Sequence, residues 1–114
     1  MHKEFRVDVR DDSGAAVIVV GGELDLASSP VLQHAIESAF QSDAEVLVLD
    51  LRELEFMDST GLSVLVKAHH AAQRSERRLY LVRGPSQVHR LLTLTGVEDR
   101  LAVLDAPEDV PQGG

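Results

Sequence analysis

The sequence predicts an α/β fold: one domain with a mixed, mostly parallel sheet, an N-terminal antiparallel hairpin, and helices packed on it. Three observations lead there. Short β-branched or aliphatic runs alternate with segments whose apolar residues recur at helical spacing, which implies parallel pairing through right-handed crossovers. The first two strand-like runs are separated only by turn residues, so they pair antiparallel. The chain has 114 residues, 44% hydrophobic and poor in aromatics, enough for one aliphatic core and not for two. The whole span 1–114 is read as a single domain, with a tail over 105–114 that frays.

Each element has its own signal. Phe5, Val7 and Val9 alternate with Arg6, Asp8 and Arg10, the period of a strand with one wet face at a sheet edge. Asp11-Asp12-Ser13-Gly14 is turn chemistry, and Val17 to Val20 forms the returning strand. Gly21-Gly22-Glu23-Leu24-Asp25 leads out of it. Ser28 or Ser29 before Pro30 opens a helix as an N-cap hydroxyl, and Leu32, Ala35, Ile36, Ala39 and Phe40 share one face of it. Val46 to Leu49 is uninterruptedly apolar, as in a strand buried on both faces. Glu53 and Glu55 then flank a loop. A second helix starts near Asp58 with Leu62, Leu65, Val66, His69 and Ala72 on its stripe. Leu79 to Val82 is a strand, and Gly84-Pro85 opens a helix carrying Val88, Leu91 and Leu92 that Gly96 ends as a C′ glycine. Leu101 to Leu104 is a last short strand, with room for a short final helix after it.

Composition excludes several functions. Eleven basic against nineteen acidic residues leave a net charge of −8, which repels nucleic-acid and anionic-membrane phosphates. The absence of cysteine removes disulfides, thiolate nucleophiles and cysteine-based zinc sites together. Met1-His2-Lys3-Glu4-Phe5 carries charges where a signal peptide needs an apolar run, and no stretch approaches the ~20 apolar residues of a membrane span. The expectation is a cytoplasmic protein with no cofactor.

The segment that carries chemistry is Phe56-Met57-Asp58-Ser59-Thr60-Gly61-Leu62, placed between a buried strand and a helix. Two adjacent hydroxyls there read first as ordinary helix caps. A helix N-terminus also offers free N–H groups and a positive dipole end, which suit a phosphate. A phosphate added there changes the surface by about −1.5 to −2 charges without unfolding the helix.

Asp58-Ser59-Thr60-Gly61-Leu62, with Phe56-Met57 before it and Gly22-Glu23-Leu24-Asp25 about thirty-five residues upstream, resembles the anti-sigma factor antagonists of the STAS family. The resemblance covers nearly the whole chain. It implies a partner-switching cycle. The unphosphorylated antagonist binds an anti-sigma factor that is also a serine kinase, which frees the sigma factor. The kinase phosphorylates the serine directly after the motif aspartate, here Ser59, with Thr60 the lesser candidate. Phosphorylation ends the binding, and a separate PP2C-type phosphatase restores it. By the same resemblance Asp25, Asp58, Ser59, Thr60, Gly61 and Leu62 form the partner-binding surface. Asp25 reads equally as a turn or cap residue before the first helix.

Other chemistry fits less well. A serine hydrolase needs a base and an orienting acid, and Met57 stands where a nucleophile elbow has glycine. His34, His69, His70 and His89 all fall on helical segments at surface or boundary positions. His69 and His70 diverge by ~100° and do not make a chelating i, i+4 pair. Neither a catalytic nor a metal site is expected. The rival within the same fold is a STAS scaffold subunit of a lipid-transport or stress-signalling complex, never phosphorylated.

Overall fold

The computed structural model describes residues 4–12, 14–96 and 100–111. A five-stranded sheet runs in chain order: β1 (Arg6–Asp12), β2 (Ala15–Leu24), β3 (Val46–Met57), β4 (Arg78–Val82) and β5 (Ala102–Leu104). β1 and β2 are antiparallel, and every later pair is parallel. The crossovers carry α1 (Ser29–Gln41), α2 (Ser59–Arg74) and α3 (Ser86–Leu94). Because strand order follows chain order, right-handed crossovers bring all three helices to one face.

That face holds the main core. Leu32 and Ile36 of α1, Leu65 and Ala68 of α2, and Val88 and Leu92 of α3 bury against Ile18, Leu47, Leu49 and Leu81 of the sheet. The second face is a smaller cluster of Val17, Val19, Val46, Val48 and Val82. Val110 covers it, following a 3₁₀ turn at Pro107–Asp109. Period-2 alternation in β2 and β3 is thus apolar on both sides, which is why these strands read as continuous aliphatic runs.

Both inner strands are longer than the sequence suggests. β2 continues through Gly21 and Gly22 to Leu24, and β3 through residues 50–57, where a loop was expected. The polar residues that suggested a loop sit at register shifts, since Val19 and Gly21 face Asp50 and Glu53, then Gly22 and Glu23 face Leu54 and Phe56. Each shift inserts an extra residue into β3 and re-aims its side chains. Arg52-Glu53 and Glu55-Phe56 therefore both point outward while Leu54 and Met57 stay in the core. Gly22 has φ +86°, and a Cβ there would lie 2.5 Å from the Glu4 carbonyl oxygen. Only glycine fits that approach.

Asp50 is the buried charge of β3, 2% exposed. Arg52 satisfies it through its Nε at 3.0 Å, its Nη2 at 2.8 Å and its backbone N–H at 3.1 Å. The Asp50 carboxylate in turn raises the Arg52 pKa above its ordinary value.

Candidate functional site

Parallel β2 and β3 end side by side, with Leu24 in register with Met57 and the Asp58 N–H donating to the Leu24 carbonyl at 3.1 Å. The Gly-Glu-Leu-Asp string and the Asp-Ser-Thr-Gly string, far apart in sequence, are therefore one structural unit. α1 and α2 both start from this end of the sheet.

Asp58 is the N-cap of α2, and its Oδ1 accepts from the Gly61 N–H at 3.0 Å. The aspartate thus does the capping that the serine and threonine were equally suited to do. Ser59 becomes the first helical residue and is exposed. Among the described residues nothing hydrogen-bonds to its hydroxyl, while its carbonyl accepts from the Ser63 hydroxyl at 3.1 Å. Thr60 is half-buried beside it. The first N–H groups of the helix have no intrahelical partner, and the dipole there is positive, so the geometry accommodates a phosphate.

Gly61 and Leu62 lie inside, not on the surface. A Cβ on Gly61 would come within 2.7 Å of Leu24 Cγ and 3.0 Å of Met57 Cγ. The glycine lets the first turn of α2 sit directly on the strand ends. Leu62 is 8% exposed and belongs to the main core. These two residues hold the hydroxyls in place from beneath.

Asp25 organises the neighbouring turn. Its Oδ1 accepts from the Ala27 and Ser28 N–H groups, each at 3.1 Å. The Ser28 hydroxyl donates to the Glu23 carbonyl at 2.8 Å and accepts from the Asp25 N–H at 2.9 Å. The Ser28 N–H, and then its hydroxyl, hold the Asp25 carboxyl below its ordinary range. Ser28 is the positional N-cap of α1, with no side-chain cap bond, because its hydroxyl is turned back into this turn. The turn reading of Asp25 is thus correct, and it places the carboxylate half-exposed at the rim of the site.

Three exposed apolar side chains at this end of the sheet were not among the contact residues expected from the sequence, although Phe56 stands in the motif string itself. Leu26 is 73% exposed, Val31 in the first turn of α1 is 54% exposed, and Phe56 is 48% exposed. Leu26 had a readable signal, an aliphatic residue inside an Asp-x-x-Ser turn. Phe56 did not, because its outward direction comes from the shift in β3 register. Apolar side chains exposed together and rimmed by polar residues are typical of a protein-contact surface.

A mixed sheet with helices on one face, and a hydroxyl-bearing helix start set beside the end of a neighbouring strand, define a STAS-type domain. The chain belongs to the STAS domain family, whose profile matches residues 6–109. Among its relatives, the anti-sigma-F factor antagonist RsfB of Mycobacterium tuberculosis is 31% identical over 107 residues, covering 94% of this chain and 87% of that one. The anti-sigma-B factor antagonist of Staphylococcus aureus is 30% identical over 91 residues, covering 80% and 84% respectively. The crystal structure of an anti-sigma factor antagonist from Mycobacterium paratuberculosis superposes with a TM-score of 0.86 at 27% identity, covering 93% of this chain and 90% of that one. Among the described residues, no helix is long and apolar enough to cross a membrane.

Proposed function

We propose that this protein is an anti-sigma factor antagonist of the cytoplasm, acting by binding and switched at Ser59. In the unphosphorylated state it binds an anti-sigma factor that is also a serine kinase, and so frees a sigma factor. That kinase phosphorylates Ser59 and the complex dissociates. A PP2C-type phosphatase removes the phosphate and resets the cycle. The observation that carries this reading is the exposed Ser59 hydroxyl at the first position of α2, without a hydrogen-bond partner among the described residues because Asp58 caps the helix. The antagonist names of the relatives support it.

The contact surface consists of Asp25, Asp58, Ser59 and Thr60 with Leu26 and Phe56 beside them, while Gly61 and Leu62 support it from the core. A phosphate on Ser59 adds about −1.5 to −2 charges between Asp58 and Asp25. It repels an acidic partner surface and fills the space of the contact. A loss of ~3 kcal/mol weakens binding more than a hundredfold. The same phosphate is stabilised by the helix start, so the switch changes the surface and leaves the fold intact.

Affinity capture from the host's lysate with Ser59→Ala and Ser59→Asp baits tests this. A small ATP-binding kinase retained by the Ala bait and lost from the Asp bait is the expected result. The same partners on both baits, with no kinase among them, would replace the switch with an unphosphorylated scaffold.

A further inference from the structure

We propose that β1 pairs antiparallel with β1 of a second copy of this chain, about a two-fold axis through Val9. β1 is an edge of the sheet, with β2 on one side and, among the described residues, no strand on the other. It is seven residues long, and all but Val7 are exposed. Alternate N–H and C=O groups of an antiparallel edge strand point away from its neighbour. Among the described residues, no backbone group bonds to that outer edge. Proteins block such edges with like charges, prolines or short strands. Here the blocking pattern is self-complementary.

Arg6, Asp8, Arg10 and Asp12 share one face of β1, opposite Gly21, Val19, Val17 and Ala15 of β2. A two-fold axis at Val9, the midpoint of Arg6–Asp12, sets Arg6 against Asp12 of the second copy and Asp8 against Arg10. The symmetry repeats each pair, as an isologous contact requires. Every directly opposed charge on that face then meets its opposite, and cross-strand pairs of this kind stabilise a sheet. Val9, 54% exposed, meets its own copy at the centre. Moving the axis by one residue to Asp8 or Arg10 places that charge against itself. Moving it to Val7 leaves Asp11 and Asp12 overhanging and draws on Glu4, which lies outside the strand. Arg6 already pairs with Glu53, so Asp8 and Arg10, which have no ion-pair partner among the described residues, dominate recognition. The surface lies two strands away from β3, whose end carries Ser59, and is separate from the switch.

One strand pair is a small interface, so the dimer is weak. Sedimentation of the full chain from about 5 µM to about 500 µM, at ~0.15 M salt where long-range repulsion between acidic copies is screened, measures it. The expected result is a monomer–dimer equilibrium that Asp8→Arg or Arg10→Asp each weakens at least about tenfold. An equimolar mixture of the two variants recovers the dimer, because a basic strand then faces an acidic one at both central pairs. The double variant Asp8→Arg/Arg10→Asp also dimerises by itself. A monomer throughout the range, a dimer indifferent to either charge, or a mixture that stays monomeric would overturn the proposal. The mixture also excludes an axis at Val7, which would leave Arg6 opposed to the new arginine.

Discussion

α1 and α2 begin at the same end of the sheet with nearly the same chemistry, an aspartate followed by two hydroxyl residues, yet only one start presents a free hydroxyl. At α1, Asp25 and Ser28 close a turn on one another, and Ser29 is 4% exposed with no partner for its Oγ. At α2, Asp58 stands directly before the helix and caps it through Gly61, leaving Ser59 in solvent. The difference is where the aspartate falls. Three residues farther upstream, it spends the serine on a turn. Immediately before the helix, it takes over the cap and releases the serine.

The largest effect tests the support beneath α2. Leu24→Ala removes a fully buried side chain and is expected to cost about 2–5 kcal/mol in urea unfolding. Gly61→Ala forces a Cβ to within 2.7 Å of Leu24 Cγ and costs about 1–3 kcal/mol, even though alanine is the better helix former. Their double variant is less destabilised than the sum, since Leu24→Ala removes the atom that Gly61→Ala meets. Strict additivity would mean that the helix start is not seated on Leu24.

Next in size is the α1 turn. Ser28→Ala loses bonds to Glu23 and Asp25 and is expected to cost about 1–2 kcal/mol, with α1 residues the first to lose hydrogen-exchange protection. Asp25 adds a pH dependence of definite sign. Its folded pKa lies below the ordinary 3.8, so its contribution is present at neutral pH and is lost only as pH falls from 3.8 through the lowered folded value. A carboxyl titration followed by NMR should show Asp25 protonating at lower pH in the native protein than in Ser28→Ala. The two serines at the heart of the comparison should part in sign and size. Ser29→Ala removes a buried hydroxyl with no partner among the described residues and should stabilise the fold by about 1 kcal/mol. Ser59→Ala removes an exposed one and should change stability by less than about 0.5 kcal/mol. Only Ser59→Ala should abolish phosphorylation.

Much of this was legible before any coordinates. The hairpin, the three helical stripes, the buried run at Val46 to Leu49 and the glycine ending α3 follow from periodicity and turn chemistry, and Gly96 takes the left-handed φ of +74° expected of it. The motif at Asp58-Ser59 was legible as a helix start. Two things were not. The second half of β3 hid because two register shifts replace strict alternation with paired outward residues, and no local pattern encodes the strand it pairs with. The close seating of Gly61 depends on Leu24, thirty-seven residues away, and a contact of that span is invisible to spacing along one helix.

The most direct measurement is to incubate the purified chain with the captured kinase and ATP and locate the phosphate by fragmentation mass spectrometry. A single phosphate on Ser59, with Ser28 and Ser29 unmodified and no phosphate on Ser59→Ala, is the predicted result. A phosphate on the hydroxyls of α1, or undiminished incorporation into Ser59→Ala, would contradict the account.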